Sequence, residues 1–146
     1  MNKKKVLFVC IHNSARSQMA EALVNKLGAN RFFAQSAGIE PGILNPVVIT
    51  VMKEIGIDIS GNKTKSVKQF LDSGESFDYV ITVCDATSGA RCPFFPGKTE
   101  RLHWEFDDPS GFPGTYEEKL LKTREVRDKI KKKVEDWINA SRDHDN

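Results

Sequence analysis

The order of strand and helix signals along this 146-residue chain predicts an α/β fold, in which a central four-stranded parallel sheet is flanked by helices on both faces. Short apolar segments alternate with longer segments of helical periodicity, and this alternation is typical of parallel strands joined by helical crossovers. No repeat, linker or low-complexity segment interrupts residues 1–146. The length suits one hydrophobic core, so we expect a single domain.

The first half of the chain is predicted to contain two strands that alternate with two helices. In order, these elements lie at Lys5–Cys10, Gln18–Leu27, Phe32–Ala37 and Val47–Ile55. The first strand is apolar almost throughout, as a buried strand requires. Gly28 ends the first helix and Gly38 ends the second strand. Asn45 and Pro46 provide an N-cap and a first-turn proline for the second helix.

The second half is predicted to contain a short helix, two strands and one long helix. In order, they lie at Ser66–Leu71, at Tyr79–Cys84, at Arg101–Trp104, and from the Thr115 cap to about Asn139. β-Branched residues favour the first of these strands, whereas the second is a weaker signal. Thr115 and Glu118 form a capping box at the start of the long helix. The apolar positions of this helix that we expect to face the core are Val126, Ile130, Val134, Trp137 and Ile138.

The segment between the first strand and the first helix is the strongest functional signal in the sequence. Residues 10–17 read Cys-Ile-His-Asn-Ser-Ala-Arg-Ser. In a strand-to-helix loop, backbone N–H groups and the helix dipole attract a tetrahedral oxyanion, and the guanidinium of Arg16 can hold two of its oxygens. The same positive potential favours the thiolate form of Cys10, which is the candidate nucleophile. The residues expected to bind the anion are His12, Asn13, Ser14, Ala15, Arg16 and Ser17.

Composition argues against several other classes of protein. The net charge is only +2, from 22 basic and 20 acidic side chains, so the chain lacks the basic excess of nucleic-acid-binding proteins. The apolar run after Lys3–Lys5 is too short for a signal peptide or a membrane span. Three cysteines without a secretory signal indicate reduced thiols and a cytoplasmic location, rather than a disulfide framework.

Four motifs together resemble one known family. They are Cys10–Glu21 (CIHNSARSQMAE), Ser36–Ile39 (SAGI), the pair of Cys84 and Cys92, and His103–Pro109 (HWEFDDP). The motifs are similar to those of thioredoxin-coupled arsenate reductases, which are built on the low-molecular-weight protein tyrosine phosphatase fold. The first motif is typical of the whole superfamily, whereas the later two indicate the reductase branch. The resemblance covers the chain from Lys5 to about Ile138.

A disulfide relay would use all of the cysteines in the chain. Reduction of arsenate takes two electrons, which thiols deliver by forming a disulfide. We expect Cys10 to attack arsenic, Cys84 to attack Cys10 and expel arsenite, and Cys92 to attack Cys84. The last disulfide would then be reduced by thioredoxin, with glutaredoxin or another thiol reductant as the alternative. This chemistry needs no cofactor.

Asp108 is the predicted general acid, because the oxygen that leaves arsenic must be protonated. It immediately precedes a proline in a loop after a strand, which matches the acid loop of the family. Asp107 is the alternative, but its simpler interpretation is a solvated or structural carboxylate. Ser17 is expected to form a hydrogen bond with Cys10, and Asn13 is expected to adopt a left-handed conformation.

Two other functions would use the same residues. A low-molecular-weight phosphatase also needs Cys10, Arg16 and Asp108, but the resembling phosphatases carry aromatic residues after Asp-Pro, where this chain has Ser110 and Gly111. A non-catalytic anion-binding module is the third candidate, and the complete set of nucleophile, arginine and acid argues against it.

Metal sites are not expected. His103 and the cysteines lack the Cys-x2-Cys pairing that tetrahedral zinc sites favour. Some relatives bind a potassium ion through residues that match Asn13, Glu21, Ser36 and an aspartate. Residues 61–66 of this chain read Gly-Asn-Lys-Thr-Lys-Ser and contain no aspartate, which argues against a bound cation.

Overall fold

The computed structural model of the chain describes residues 3–83 and 98–144, and residues 142–144 by their backbone alone. Within these ranges the strands are β1 (Lys4–Cys10), β2 (Phe32–Gly38), β3 (Tyr79–Thr82) and β4 (Glu100–His103). The helices are α1 (Arg16–Leu27), α2 (Pro46–Lys53), α3 (Val67–Asp72) and α4 (Tyr116–His144). None of these described helices combines the length and the apolar character that a membrane span needs.

The four strands form one parallel sheet in the order β2-β1-β3-β4. β1 pairs with β2 on one side, where Cys10 lies opposite Gly38, and with β3 on the other side. The chain therefore leaves the carboxyl end of β1 toward one side of the sheet and later crosses to the other side. Ligands of open parallel sheets bind at such a switch point. The predicted α/β fold with a four-stranded parallel sheet is confirmed.

Helices cover both faces of the sheet, and β1 contributes buried side chains to each face. Val6, Phe8 and Cys10 belong to a buried cluster that contains residues of α1, α2 and α4. Leu7 and Val9 belong to a second cluster, with residues of α3, on the opposite face. Burial on both faces explains why the sequence of β1 is a continuous apolar run rather than an alternating one.

The predicted helix signals are confirmed at their N-terminal caps. The Oδ1 atom of Asn45 accepts a hydrogen bond from the N–H of Val47 at 2.9 Å. Thr115 and Glu118 form the reciprocal bonds of a capping box, at 3.2 Å and 3.4 Å. On α4, the predicted inward residues Val126, Ile130, Val134 and Ile138 are buried, and Trp137 packs partly buried against the same cluster.

Several predicted boundaries differ from the observed ones by one or more residues. α1 begins at Arg16 rather than at residue 18. The last two residues of the segment 10–17, called the anion loop below, therefore lie in the first turn of α1. α2 ends at Lys53 rather than at residue 55, because a turn with positive φ at Gly56 follows it. α4 continues past residue 139 to His144. β4 lies one residue earlier than predicted, and the predicted end of β3 at Cys84 lies outside the described residues.

Candidate active site

The loop between β1 and α1 is held from its outer side by its own carbonyl groups. The carbonyl oxygens of Cys10, Ile11, His12 and Ser14 accept hydrogen bonds of 2.7–3.1 Å from backbone N–H groups of residues 39–45. Because the C=O and N–H of one trans peptide point in opposite directions, the N–H groups of the same peptides point to the inner side of the loop. A concave lining of backbone N–H groups is a binding site for an anion.

The N-terminus of α1 adds to the positive potential on the inner side of the loop. The N-cap is Ala15, so no side chain caps the helix, and its first turn contains no acidic residue. The first N–H groups of a helix have no intrahelical partner, and most helices satisfy them with a serine, aspartate or asparagine side chain. An oxyanion can accept hydrogen bonds from these groups instead.

Cys10 is buried at the base of the loop, with 4% of its surface exposed. Its Sγ accepts a hydrogen bond from the N–H of Asn13 at 3.1 Å and lies 2.8 Å from the Oγ of Ser17. Asn13 has a φ of 55°, in the left-handed region that asparagine tolerates. The predicted contact of Ser17 and the predicted conformation of Asn13 are both confirmed.

Arg16 is fixed beside the loop by contacts with the segment that follows β4. Its Nη1 donates to the carbonyl oxygen of Phe106 at 3.1 Å, and its Nη2 lies 3.5 Å from the Oδ2 of Asp108. The Nε of Arg16 is buried and has no hydrogen-bond partner among the described residues. The guanidinium is therefore held in place while a donor remains for an oxyanion.

Asp108 lies at the start of a short 3₁₀ turn, Pro109–Gly111, and its Oδ1 accepts from the N–H of Ser110 at 3.0 Å. The segment that leads to it is anchored by Trp104, which is buried against Phe8 with ring centroids 5.6 Å apart. Asp107, the alternative acid, is exposed and does not line the small depression that Asp108 shares with Cys10 and Arg16. The geometry therefore favours Asp108.

The structure brings most of the predicted site residues together. One small depression is lined by Cys10, His12, Ser14, Ala15, Arg16 and Asp108. The side chains of Asn13 and Ser17 are absent from this lining. They bind each other, and the Oγ of Ser17 also contacts the Sγ of Cys10. The ring of His12 is held at the rim by a hydrogen bond from its Nδ1 to the carbonyl oxygen of Glu40, 2.8 Å long. Cys84 and Cys92 lie outside the described residues.

Residues 5–145 match the family model of the low molecular weight phosphotyrosine protein phosphatases. The chain is 42% identical to an arsenate reductase of Halalkalibacterium halodurans, over 97% of this chain and 100% of that protein. It is also similar to the solved structure of an arsenate reductase in the phosphate binding state, with a TM-score of 0.79 and 35% identity over 94% of this chain and 98% of that one. A thioredoxin-dependent arsenate reductase of Corynebacterium glutamicum gives a TM-score of 0.69 at 28% identity, over 96% of this chain and 62% of that one.

The chain belongs to the low molecular weight phosphotyrosine protein phosphatase family. The resemblance to the arsenate reductases built on this fold, which the sequence motifs predict, is confirmed by relatives that match nearly the whole chain.

A polar cluster of buried and partly buried side chains lies beside the loop, at the positions that were compared with a potassium site in the sequence. The Oγ of Ser36 donates to the Oε1 of Glu21 at 3.1 Å, and the ammonium of Lys65 lies 3.9 Å from the same oxygen. Asn13 already accepts two hydrogen bonds at its Oδ1, from Gln18 and from the N–H of Lys65. Because Lys65 provides the positive charge next to Glu21, the residues present do not fit a bound potassium ion.

Gly38 allows the end of β2 to lie directly against the anion loop. A Cβ atom at this position would be 2.8 Å from backbone atoms of Ile11, His12 and Asn13, a distance at which the loop must move. The N–H of Gly38 also donates to the carbonyl oxygen of Lys65 at 2.7 Å. The sequence signal for this constraint is the SAGI motif, but the motif alone does not identify the loop as the neighbour.

Gly38→Ala is expected to displace the loop and to weaken oxyanion binding on the order of tenfold or more, because small misplacements of a binding site are costly. The measurement is the phosphate concentration that protects Cys10 from alkylation, because phosphate has the shape of arsenate and does not oxidise the thiol. Gly61→Ala is the matched control, since a Cβ there meets no atom within 4 Å. Equal protection in the two variants would contradict the proposed contact.

Glu21→Gln is expected to gain stability relative to the unmutated chain as the pH rises. Burial raises the pKa of Glu21 above its usual value of 4.5, and the effects of Lys65 and Ser36 offset this only in part. Between the unfolded and folded pKa values the folded state binds more protons, so the free energy of unfolding falls with rising pH. The glutamine variant lacks this fall. Urea unfolding at several pH values above 4 tests the prediction, and a pH-independent difference would contradict it.

Proposed function

We propose that this chain reduces arsenate to arsenite, with Cys10 as the nucleophile, Arg16 as the oxyanion-binding side chain and Asp108 as the general acid. The observation that carries the proposal is the meeting of these three side chains at one depression of the anion loop. Arsenate has the shape and charge of phosphate, and both suit the N–H groups of the loop. Relatives named arsenate reductases, similar over nearly their full length, support arsenate as the substrate.

In the first step, the thiolate of Cys10 attacks arsenic and forms a sulfur–arsenic bond. One hydroxyl group of arsenate leaves as water after it takes a proton from the carboxyl group of Asp108. Arg16 and the loop N–H groups hold the remaining oxygens while charge develops on them, without having to reorganise. Arsenic is still pentavalent at this point, so a reductant must follow.

The reduction itself is a transfer of one electron pair from thiols to arsenic. Cys84 attacks the sulfur of Cys10, a Cys10–Cys84 disulfide forms, and the electron pair of the broken sulfur–arsenic bond leaves with arsenic as arsenite. Cys92 then attacks Cys84, which gives a Cys84–Cys92 disulfide and restores the thiolate of Cys10. The three cysteines of the chain suffice for this relay.

Thioredoxin is the proposed external reductant, supported by the thioredoxin-dependent arsenate reductase of Corynebacterium glutamicum among the similar structures. Each turnover consumes one dithiol of the reductant and returns Cys84 and Cys92 to thiols. A reducing, cytoplasmic location suits this chemistry, because the cycle starts from free thiols. Residues 1–146 would act as one domain.

Phosphoester hydrolysis is the second candidate function, favoured by the match to the phosphatase family. It needs only Cys10, Arg16 and Asp108. The turn after Asp108 contains Pro109–Gly111 and no aromatic side chain that could stack on a substrate ring.

An assay of the purified protein with thioredoxin, its reductase and NADPH separates the two functions. Arsenate-dependent oxidation of NADPH supports the reductase, and phosphoester hydrolysis without it supports the phosphatase.

Cys10→Ser is expected to abolish arsenate reduction, and Arg16→Lys to lower kcat/KM on the order of a hundredfold, because lysine cannot replace a planar bidentate donor. Steady-state kinetics on proteins with unchanged circular dichroism provide the test. Arg124→Lys is the matched control, since Arg124 pairs with Glu54 at the surface, away from the depression. Near-normal turnover by either loop variant would refute the assigned roles.

The order of the relay predicts that the Cys84→Ser and Cys92→Ser variants stop at different steps. Cys84→Ser should stop arsenite release but spare any phosphatase activity, because Cys84 acts only after the first covalent step. Cys92→Ser should release about one arsenite per enzyme and accumulate a Cys10–Cys84 disulfide, because exchange to Cys92 is blocked. Peptide mapping after arsenate treatment without a reductant identifies each disulfide. Multiple turnovers of Cys92→Ser with thioredoxin alone would exclude the three-cysteine relay.

A further inference from the structure

Gln18 is a buried polar residue behind the anion loop that the mechanism above does not use. Its side chain is fully buried and forms three hydrogen bonds of 3.1 Å. The Nε2 donates to the Oδ1 of Asn13 and to the carbonyl oxygen of Lys63, and the Oε1 accepts from the Nδ2 of Asn62. Gln18 therefore joins the loop to the polar segment at residues 61–66.

Backbone groups fix the orientation of both amides in this network. The carbonyl oxygen of Lys63 can only accept, so the Nε2 of Gln18 must face it. The N–H of Lys65 can only donate, and it lies 2.9 Å from the side chain of Asn13, so the Oδ1 of Asn13 must face it. Flipping either amide would place two donors or two acceptors against each other.

The orientation of Asn13 determines what the hydroxyl group of Ser17 can do. With its Oδ1 facing Gln18 and Lys65, Asn13 directs its Nδ2 at the Oγ of Ser17 and donates to it at 2.8 Å. The hydroxyl oxygen is then an acceptor on that side, and its proton is available to the Sγ of Cys10, 2.8 Å away. A hydroxyl that donates to sulfur stabilises the thiolate more than the thiol.

We propose that Gln18 is a positioning residue for the nucleophile, because together with the N–H of Lys65 it holds Asn13 in the orientation in which Ser17 donates to the sulfur of Cys10. Gln18 does not line the depression, so it acts through Asn13 and Ser17 rather than on the substrate. The inference rests on the proposed function, in which the thiolate of Cys10 is the reacting group.

The test is the pH dependence of Cys10 alkylation by iodoacetamide, in a chain that carries Cys84→Ser and Cys92→Ser so that Cys10 is its single thiol. Gln18→Met removes both donated hydrogen bonds and keeps an unbranched side chain of similar length. We expect the alkylation midpoint to move to higher pH, so that the thiolate fraction below the midpoint falls about three- to tenfold, tenfold being one pH unit. Gln35→Met on β2 is the matched control and should leave the midpoint unchanged, because the Oε1 of Gln35 has no hydrogen-bond partner among the described residues.

A double-mutant cycle separates this role from a merely structural one. Ser17→Ala should itself move the midpoint to higher pH, and adding Gln18→Met to it should cause no further shift, because Ser17 is the route by which Gln18 acts. Additive shifts, or a loss of thermal stability with an unchanged midpoint, would overturn the proposal.

The outcomes also distinguish this inference from the proposed function. In the chain without the Gln18 substitution, the alkylation midpoint could equal that of free cysteine and arsenate could fail to slow alkylation. That pair of results would contradict the proposed function. A low midpoint that Gln18→Met leaves unchanged would overturn only the role of Gln18.

If Gln18→Met does not fold, Asn62→Ala provides the same test from a partly exposed position. It should give a smaller shift in the same direction, and no shift would overturn the proposal.

Discussion

The inward direction of the loop N–H groups depends on the hydrogen bonds that hold the loop carbonyl groups from outside. Backbone N–H groups of residues 39–45 bind four of these carbonyl oxygens. Each such bond contributes only about 1 kcal/mol to stability, but together they fix the peptide planes before any ligand arrives. A site whose donors are already oriented does not have to reorganise as charge develops in the transition state. The left-handed conformation of Asn13 is maintained by the same constraint.

The parallel sheet brings together the segments that impose this constraint. β1 ends in Cys10, and its neighbour β2 ends in Gly38, whose missing side chain allows residues 39–45 to follow the loop closely. Residues 61–66 approach from behind, where the N–H of Lys65 and the carbonyl oxygen of Lys63 orient the buried amides. The front of the loop is thus left open at the depression lined by Cys10 and Arg16, and the buried amides lie behind it.

Asp108, the proposed general acid, is positioned by aromatic packing in the core rather than by the hydrogen bonds of the loop. Trp104 lies between Phe8 of β1 and Trp137 of α4, with ring centroids 5.6 Å and 5.9 Å away. This aromatic packing fixes the start of the segment that carries the carbonyl group of Phe106 and the carboxylate of Asp108 to Arg16. The proposed nucleophile and the proposed acid therefore depend on one core cluster, although they are far apart in the sequence.

The sequence by itself determined the α/β class, the sheet of parallel strands, the caps at Asn45 and Thr115, and the loop with Cys10 and Arg16. These features are local, because apolar periodicity, capping residues and a strand-to-helix loop are each encoded within a few neighbouring residues. Only the tertiary structure decided that Asp108 rather than Asp107 faces the loop, and that Gln18 and Lys65 support it from behind. Those contacts join segments that are distant along the chain, and their geometry exists only after the sheet has brought the segments together.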